Sequence, residues 1–202
     1  MMNTKPSRLT AENSLVILID HQPGLLMNCK TIDPLTIKNN VVAFANALKV
    51  LNVPTILTMQ SLGGFGPITK DLAEALPDVE HIDRTIIDVW LDARIRKMIE
   101  DSGKTHIILG GITLEVCAMF PALSLREEGY QVYAVMDISG SQSVDIERWA
   151  LARLVQAGAI PVSFTAVLME MLGDNSLPEA GPVYGALSPS WGMPTFLSEY
   201  HQ

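Results

Sequence analysis

Unbroken apolar runs alternate along this chain with apolar residues at helical spacing. Ser14-Leu15-Val16-Ile17-Leu18-Ile19-Asp20 is continuous apolar sequence closed by an acid, the pattern of a strand buried on both faces. After the turn signal His21-Gln22-Pro23-Gly24, Ile37, Val41, Phe44, Ala45, Leu48 and Leu51 recur every three or four residues. Asp33-Pro34 marks the start of that helix. Further strands are expected at 54–59, 79–84, 105–109, 131–137 and 160–164, the last short or at an edge because of Pro161. Further helices are expected at 69–76, 88–102, 114–128 and 144–156, with a final turn or two at 166–172. From Gly173 to Gln202, Gly and Pro punctuate the chain and periodicity is lost, so an irregular tail is expected there.

Strands alternating with helices imply one α/β domain over 1–202: a Rossmann-like, three-layer, doubly wound, mainly parallel sheet. The length suits a single core. A net charge of -8 without a basic stripe argues against nucleic acid and anionic membrane as partners. Two cysteines far apart make no disulfide framework, which fits a reducing cytoplasm. Met1 to Glu12 is polar, and no apolar run is long enough to span a bilayer. Ten Met and much apolar surface favour a homo-oligomer.

Candidate chemistry gathers at strand ends. The run Ile107-Ile108-Leu109 leads into Gly110-Gly111, read as a turn, and then into a helix with Thr113 at its N-cap and Glu115 in its first turn. Cys117 lies about one turn inside that helix, where the dipole and free N–H groups favour a thiolate. Pro121 has no N–H for the Cys117 carbonyl, so the helix should loosen there. In a doubly wound sheet the ends of neighbouring strands converge on one cleft. Asp20, Arg84 and Cys117 would meet there as base, fixed cation and nucleophile. Taken singly, each residue has an ordinary reading: a turn-capping acid, a surface ion pair, an inert buried thiol.

At these residues the sequence resembles the isochorismatase-like cysteine hydrolases, in particular their YcaC-like branch. The resemblance rests on Asp20-His21-Gln22, on Arg84, on Gly110 through Cys117 followed by Phe120-Pro121-Ala122-Leu123, and on Glu127 through Gly140. It implies Cys117 as nucleophile, Asp20 as base, and a cis peptide bond at Ile112–Thr113. It also implies an oxyanion hole from the Thr113 and Cys117 N–H groups. Many members have lysine where this chain has Arg84; an arginine cannot relay a proton and acts as a fixed charge. Hydrolysis of isochorismate itself belongs to members without the cysteine, so a small amide is the expected substrate.

Gln22, Phe65, Trp90 and Ile112 are expected to wall a small, partly apolar pocket. Cys29 is read as a buried structural thiol, and His21 as pointing away from substrate. No metal is expected, because His81, His106 and His201 have no ligand spacing and Thr58 to Gly63 holds no Asp or His cluster. No cofactor is expected either: the glycines match neither a phosphate loop nor a dinucleotide fingerprint. A turnover-deficient binding or scaffold protein, or a redox-sensing thiol, would fit the same residues.

Overall fold

The computed structural model describes residues 8–60 and 64–191. Along the chain run β1 (Ser14–Ile19), α1 (Pro23–Leu26), α2 (Pro34–Val50), β2 (Thr55–Met59), α3 (Lys70–Ala75), β3 (His81–Asp83) and α4 (Ala93–Asp101). These are followed by β4 (His106–Gly111), α5 (Met119–Glu127), β5 (Gln131–Val135), α6 (Val144–Gln156), β6 (Ile160–Val162), α7 (Phe164–Leu172) and α8 (Ala180–Trp191). The six strands form one parallel sheet in the order β3-β2-β1-β4-β5-β6. This is the doubly wound α/β architecture expected from the alternating pattern.

The central strands β1 and β4 are buried along their whole length. Side chains alternate across a strand. Val16 and Leu18 therefore join the core shared with α2, α7 and α8. Leu15, Ile17 and Ile19 join the opposite core, with Ile95 and Ile99 of α4, Leu125 of α5 and Leu154 of α6. The strand order reverses between β1 and β4, so a crevice opens at their carboxyl ends.

Four local expectations are corrected. Gly110 and Gly111 are not a turn but the last two residues of β4. A Cβ on Gly110 would lie 2.5 Å from Ile138 Cγ1, and one on Gly111 would lie 2.8 Å from Ile19 Cβ. Close packing, not a bend, excludes side chains there. The helix expected at 114–128 is divided: Leu114–Ala118 is π-helical and α5 follows. Pro121 accounts for the widening, since it cannot donate to the Cys117 carbonyl. The helix expected at 88–102 is also divided, into a 3-10 turn at Val89–Leu91 and α4. Asp88 and Asp92 each accept a backbone N–H from two residues on, so each starts its own element.

The fourth correction concerns the tail. Ala180–Trp191 is helix, with Ala180, Val183 and Leu187 buried along one face. Two glycines and two prolines obscure that spacing in the sequence. The rest of the expected tail, 192–202, lies outside the described residues, as do 61–63. Among the described residues no helix is long and apolar enough to cross a membrane.

Candidate active site

The site begins where β1 ends. Asp20 has a left-handed backbone with φ of 60°, a conformation L-residues other than Asn and Asp rarely hold. Its N–H donates to the Thr58 carbonyl at 3.0 Å, and its carbonyl accepts from Gln22 N–H at 2.7 Å. These bonds fix the carboxylate behind the crevice. Thr58 pairs with Ile19 in the sheet, and its hydroxyl donates to Asp20 Oδ1 at 3.2 Å.

Arg84 follows β3 and reaches back under β2. Its Nη2 makes an ion pair with Asp20 Oδ2, and both side chains are completely buried. Nη1 donates to the carbonyls of Ile86 and, at 3.0 Å, Ile87. Gln60 braces the same arginine. Oriented to satisfy both groups, its carboxamide oxygen accepts from Nη1 at 2.7 Å and its nitrogen donates to the Arg84 carbonyl at 2.9 Å. The guanidinium is therefore fully engaged.

Cys117 lies in the π-helical turn after β4, with its thiol beside the Asp20 carboxylate, close enough for each group to shift the other. The three residues that sequence reasoning set at strand ends thus form one chain, Arg84 to Asp20 to Cys117. Their charge state differs from the expected thiolate. Burial, then the adjacent Asp20 charge, pushes the thiol up to about 12, against a smaller opposing effect of Arg84. Burial also raises Asp20, although Arg84 pulls it down. Arg84 spends its charge on Asp20, and the resting sulfur carries its proton.

The backbone around the sulfur matches the expected geometry in part. The Ile112–Thr113 peptide bond is cis. Among the described residues no hydrogen bond engages the Thr113 N–H. The Cys117 N–H, by contrast, donates to the Thr113 carbonyl at 2.9 Å. One of the two expected oxyanion donors is open and the other is occupied.

Cys117 and Thr113 open onto a cavity of about 530 Å³. Leu25, Phe65, Ile87 and Val116 supply its apolar wall, and Asn28, Gln60, Thr85 and Gln142 its polar groups. Of the expected wall residues, Phe65 is in place and three are not. Gln22 is a buried clamp: its nitrogen donates to the carbonyls of Gly66 and, at 2.9 Å, Gln60, and its oxygen accepts from Gln60 N–H at 2.8 Å. It holds the loop that carries Phe65. Trp90 is core, edge-on to Tyr130 at 5.7 Å and under the Arg96 guanidinium at 4.9 Å. Ile112 packs with Leu26, Cys29 and Ile37 beneath the site.

His21 turns away from the cavity, and its Nε2 lies 2.9 Å from the Ile138 carbonyl. Burial lowers it to about 4, so it is neutral at pH 7. Cys29 is buried and held protonated, at about 11. No group of three His, Cys, Asp or Glu side chains among the described residues could hold a metal ion. Sequence reasoning missed Thr58 and Gln60. Both follow from the parallel register, since the end of β2 must flank the end of β1.

This is a doubly wound α/β fold with its crevice at the strand ends, and the chain belongs to the isochorismatase family: residues 14–166 match the Isochorismatase domain. Among its relatives is the probable hydrolase YcaC of Escherichia coli K12, 39% identical over 85% of this chain and 84% of that protein. Two solved structures are similar throughout. YcaC from Pseudomonas aeruginosa, with hexane-2,5-diol and covalent acrylamide, is 31% identical with a TM-score of 0.89, over 99% of this chain and 100% of that one. The E. coli YcaC structure, described as an octameric hydrolase of unknown specificity, is 34% identical with a TM-score of 0.90, over 98% of both chains. The nicotinamidase PncA of Bacillus subtilis, 13% identical with a TM-score of 0.63 over 75% of this chain and all of that one, shares the fold.

Proposed function

We propose that this protein is a metal-independent cysteine hydrolase that cleaves the C–N bond of a small, non-peptide amide. One observation carries the reading: a thiol on the wall of a cavity stands beside a buried, ion-paired carboxylate. Asp20 takes the Cys117 proton as sulfur attacks the amide carbon. The transfer has to accompany bond formation, because a free thiolate is disfavoured in that pocket. Charge develops on the carbonyl oxygen, where the Thr113 N–H can donate. The Cys117 N–H joins it by leaving the Thr113 carbonyl. Asp20 then protonates the departing amine, and the C–N bond breaks to leave a thioester. Finally Asp20 draws a proton from water, which attacks the thioester and releases the acid and the thiol. Arg84 stays charged throughout and keeps the carboxylate from becoming too strong a base to give its proton back.

The covalent acrylamide in the P. aeruginosa relative is what a nucleophile in this fold would capture. The octamer of the E. coli relative supports a homo-oligomer here, and the exposed Trp149, Met27 and Leu91 offer apolar contact surface. Two unpaired cysteines suit a reducing cytoplasm.

The test is turnover on a panel of simple amides. Cys117→Ala should lower turnover by at least about a hundredfold and abolish labelling at that position. Turnover equal to the parent protein would remove the mechanism.

A further inference from the structure

Among the described residues, the lining of the cavity beside Cys117 includes no charged side chain. Its polar lining among the described residues is Asn28, Gln60, Thr85, Thr113 and Gln142, all neutral. The ionic pair behind the sulfur is sealed, and the N–H groups of Arg84 are directed to Asp20, to the Thr58 hydroxyl, to Gln60 and to the Ile86 and Ile87 carbonyls. Lys30, whose charge acts on Cys29, directs its ammonium to the Met27 carbonyl at 3.2 Å. Glu115 and Glu147 also act on Cys29, so the adjoining field is negative, and the whole chain carries -8.

A carboxylate entering this space would lose water and meet no cation, a costly exchange. A carboxamide would find donors and acceptors on Asn28, Thr85 and Gln142, and its hydrocarbon would lie against Leu25, Phe65 and Val116. We infer that the site takes uncharged small amides with a short apolar substituent and rejects amides that also bear a carboxylate. This rests on the cysteine-hydrolase reading above and narrows it.

Two alkylating reagents of similar size separate the two claims. Iodoacetamide is neutral and iodoacetate is anionic. With either, sulfur forms a C–S bond, iodide leaves, and the thiol proton passes to Asp20 or water. Rates at Cys117 in the native protein, followed by mass spectrometry of its peptide, are each divided by the rate on 2-mercaptoethanol. The normalised preference for iodoacetamide should be at least about tenfold. Gln142→Arg, at the exposed rim, should shrink that preference, and Thr85→Arg should do so from a second position. In parallel, butanamide should be turned over in preference to its carboxylated counterpart succinamate.

Equal normalised rates would overturn the charge selection and leave the nucleophile intact. A preference untouched by both arginine variants would overturn it too, since shape rather than charge would be selecting. Failure of Cys117 to react with either reagent would remove the nucleophile, and both readings with it.

Discussion

Arg84 joins three otherwise separate pieces: the Asp20 carboxylate, the carbonyls of Ile86 and Ile87, and Gln60 at the end of β2. Removing it strands a carboxylate with no solvent. Arg84→Met should therefore cost about 3–5 kcal/mol of stability near pH 8. The loss has a sign with pH. Asp20, already raised by burial, would rise further, so the folded variant binds a proton that the unfolded chain releases. The penalty begins as pH passes the unfolded carboxyl range, grows until pH reaches the raised folded value, and is relieved in acid. Urea denaturation at pH 5 and pH 8 checks this, and adding Asp20→Asn should erase the difference. The sulfur has its own signature. With the thiol pushed up to about 12, alkylation of free enzyme by iodoacetamide should rise about tenfold per pH unit between about 7 and 9. A plateau near neutrality that disappears in Asp20→Asn would mean that Asp20 takes the proton as the bond forms, and one that survives it would mean that the thiolate is already formed.

The segment from β4 into the π-helical turn sets where that sulfur stands. β4 can run beside Ile138 because Gly110 has no side chain. Gly110→Ala should cost about 1–3 kcal/mol by overpacking, measured as a fall in the denaturation midpoint. The extent to which this segment could be read in the sequence varies with the kind of interaction. Strands were legible because burial on both faces demands continuous apolar residues, and β1, β2 and β4 lie within two residues of expectation. Pro121 announced the loosened helix, since a missing N–H is local chemistry. The role of Gly110 and Gly111 was misread because the atoms they make room for, on Ile138 and Ile19, are distant along the chain. The pocket wall was legible only at Phe65. Whether Trp90 or Ile112 faces cavity or core depends on how loops settle, and no periodicity records that. The state of the thiol was illegible for the same reason: desolvation belongs to the folded surroundings of Cys117, not to its neighbours in sequence.

At the scale of the whole molecule, the parallel topology brings residues 20, 84 and 117 to one edge of the sheet. That meeting followed from the alternating pattern together with the family resemblance; neither the acid nor the thiol announces it alone. The opposite layer closes with α8, whose Val183 and Leu187 are fully buried in the core with Phe44 of α2. Ending the chain after Glu179 removes both side chains and the contacts they bury, and each is worth about 1.5–3 kcal/mol. Such a truncation should lower stability by at least about 3 kcal/mol in chemical denaturation.

Asp20 has no surface of its own, and the group joining it to the cavity is the Cys117 sulfur. A hydrogen ion handed to that carboxylate has no exit to bulk buffer. While the tetrahedral adduct caps the sulfur, the ion is confined there until the departing nitrogen claims it. The enclosure acts as a one-place store: it is filled by attack, emptied by the leaving group, and closed to the pool outside.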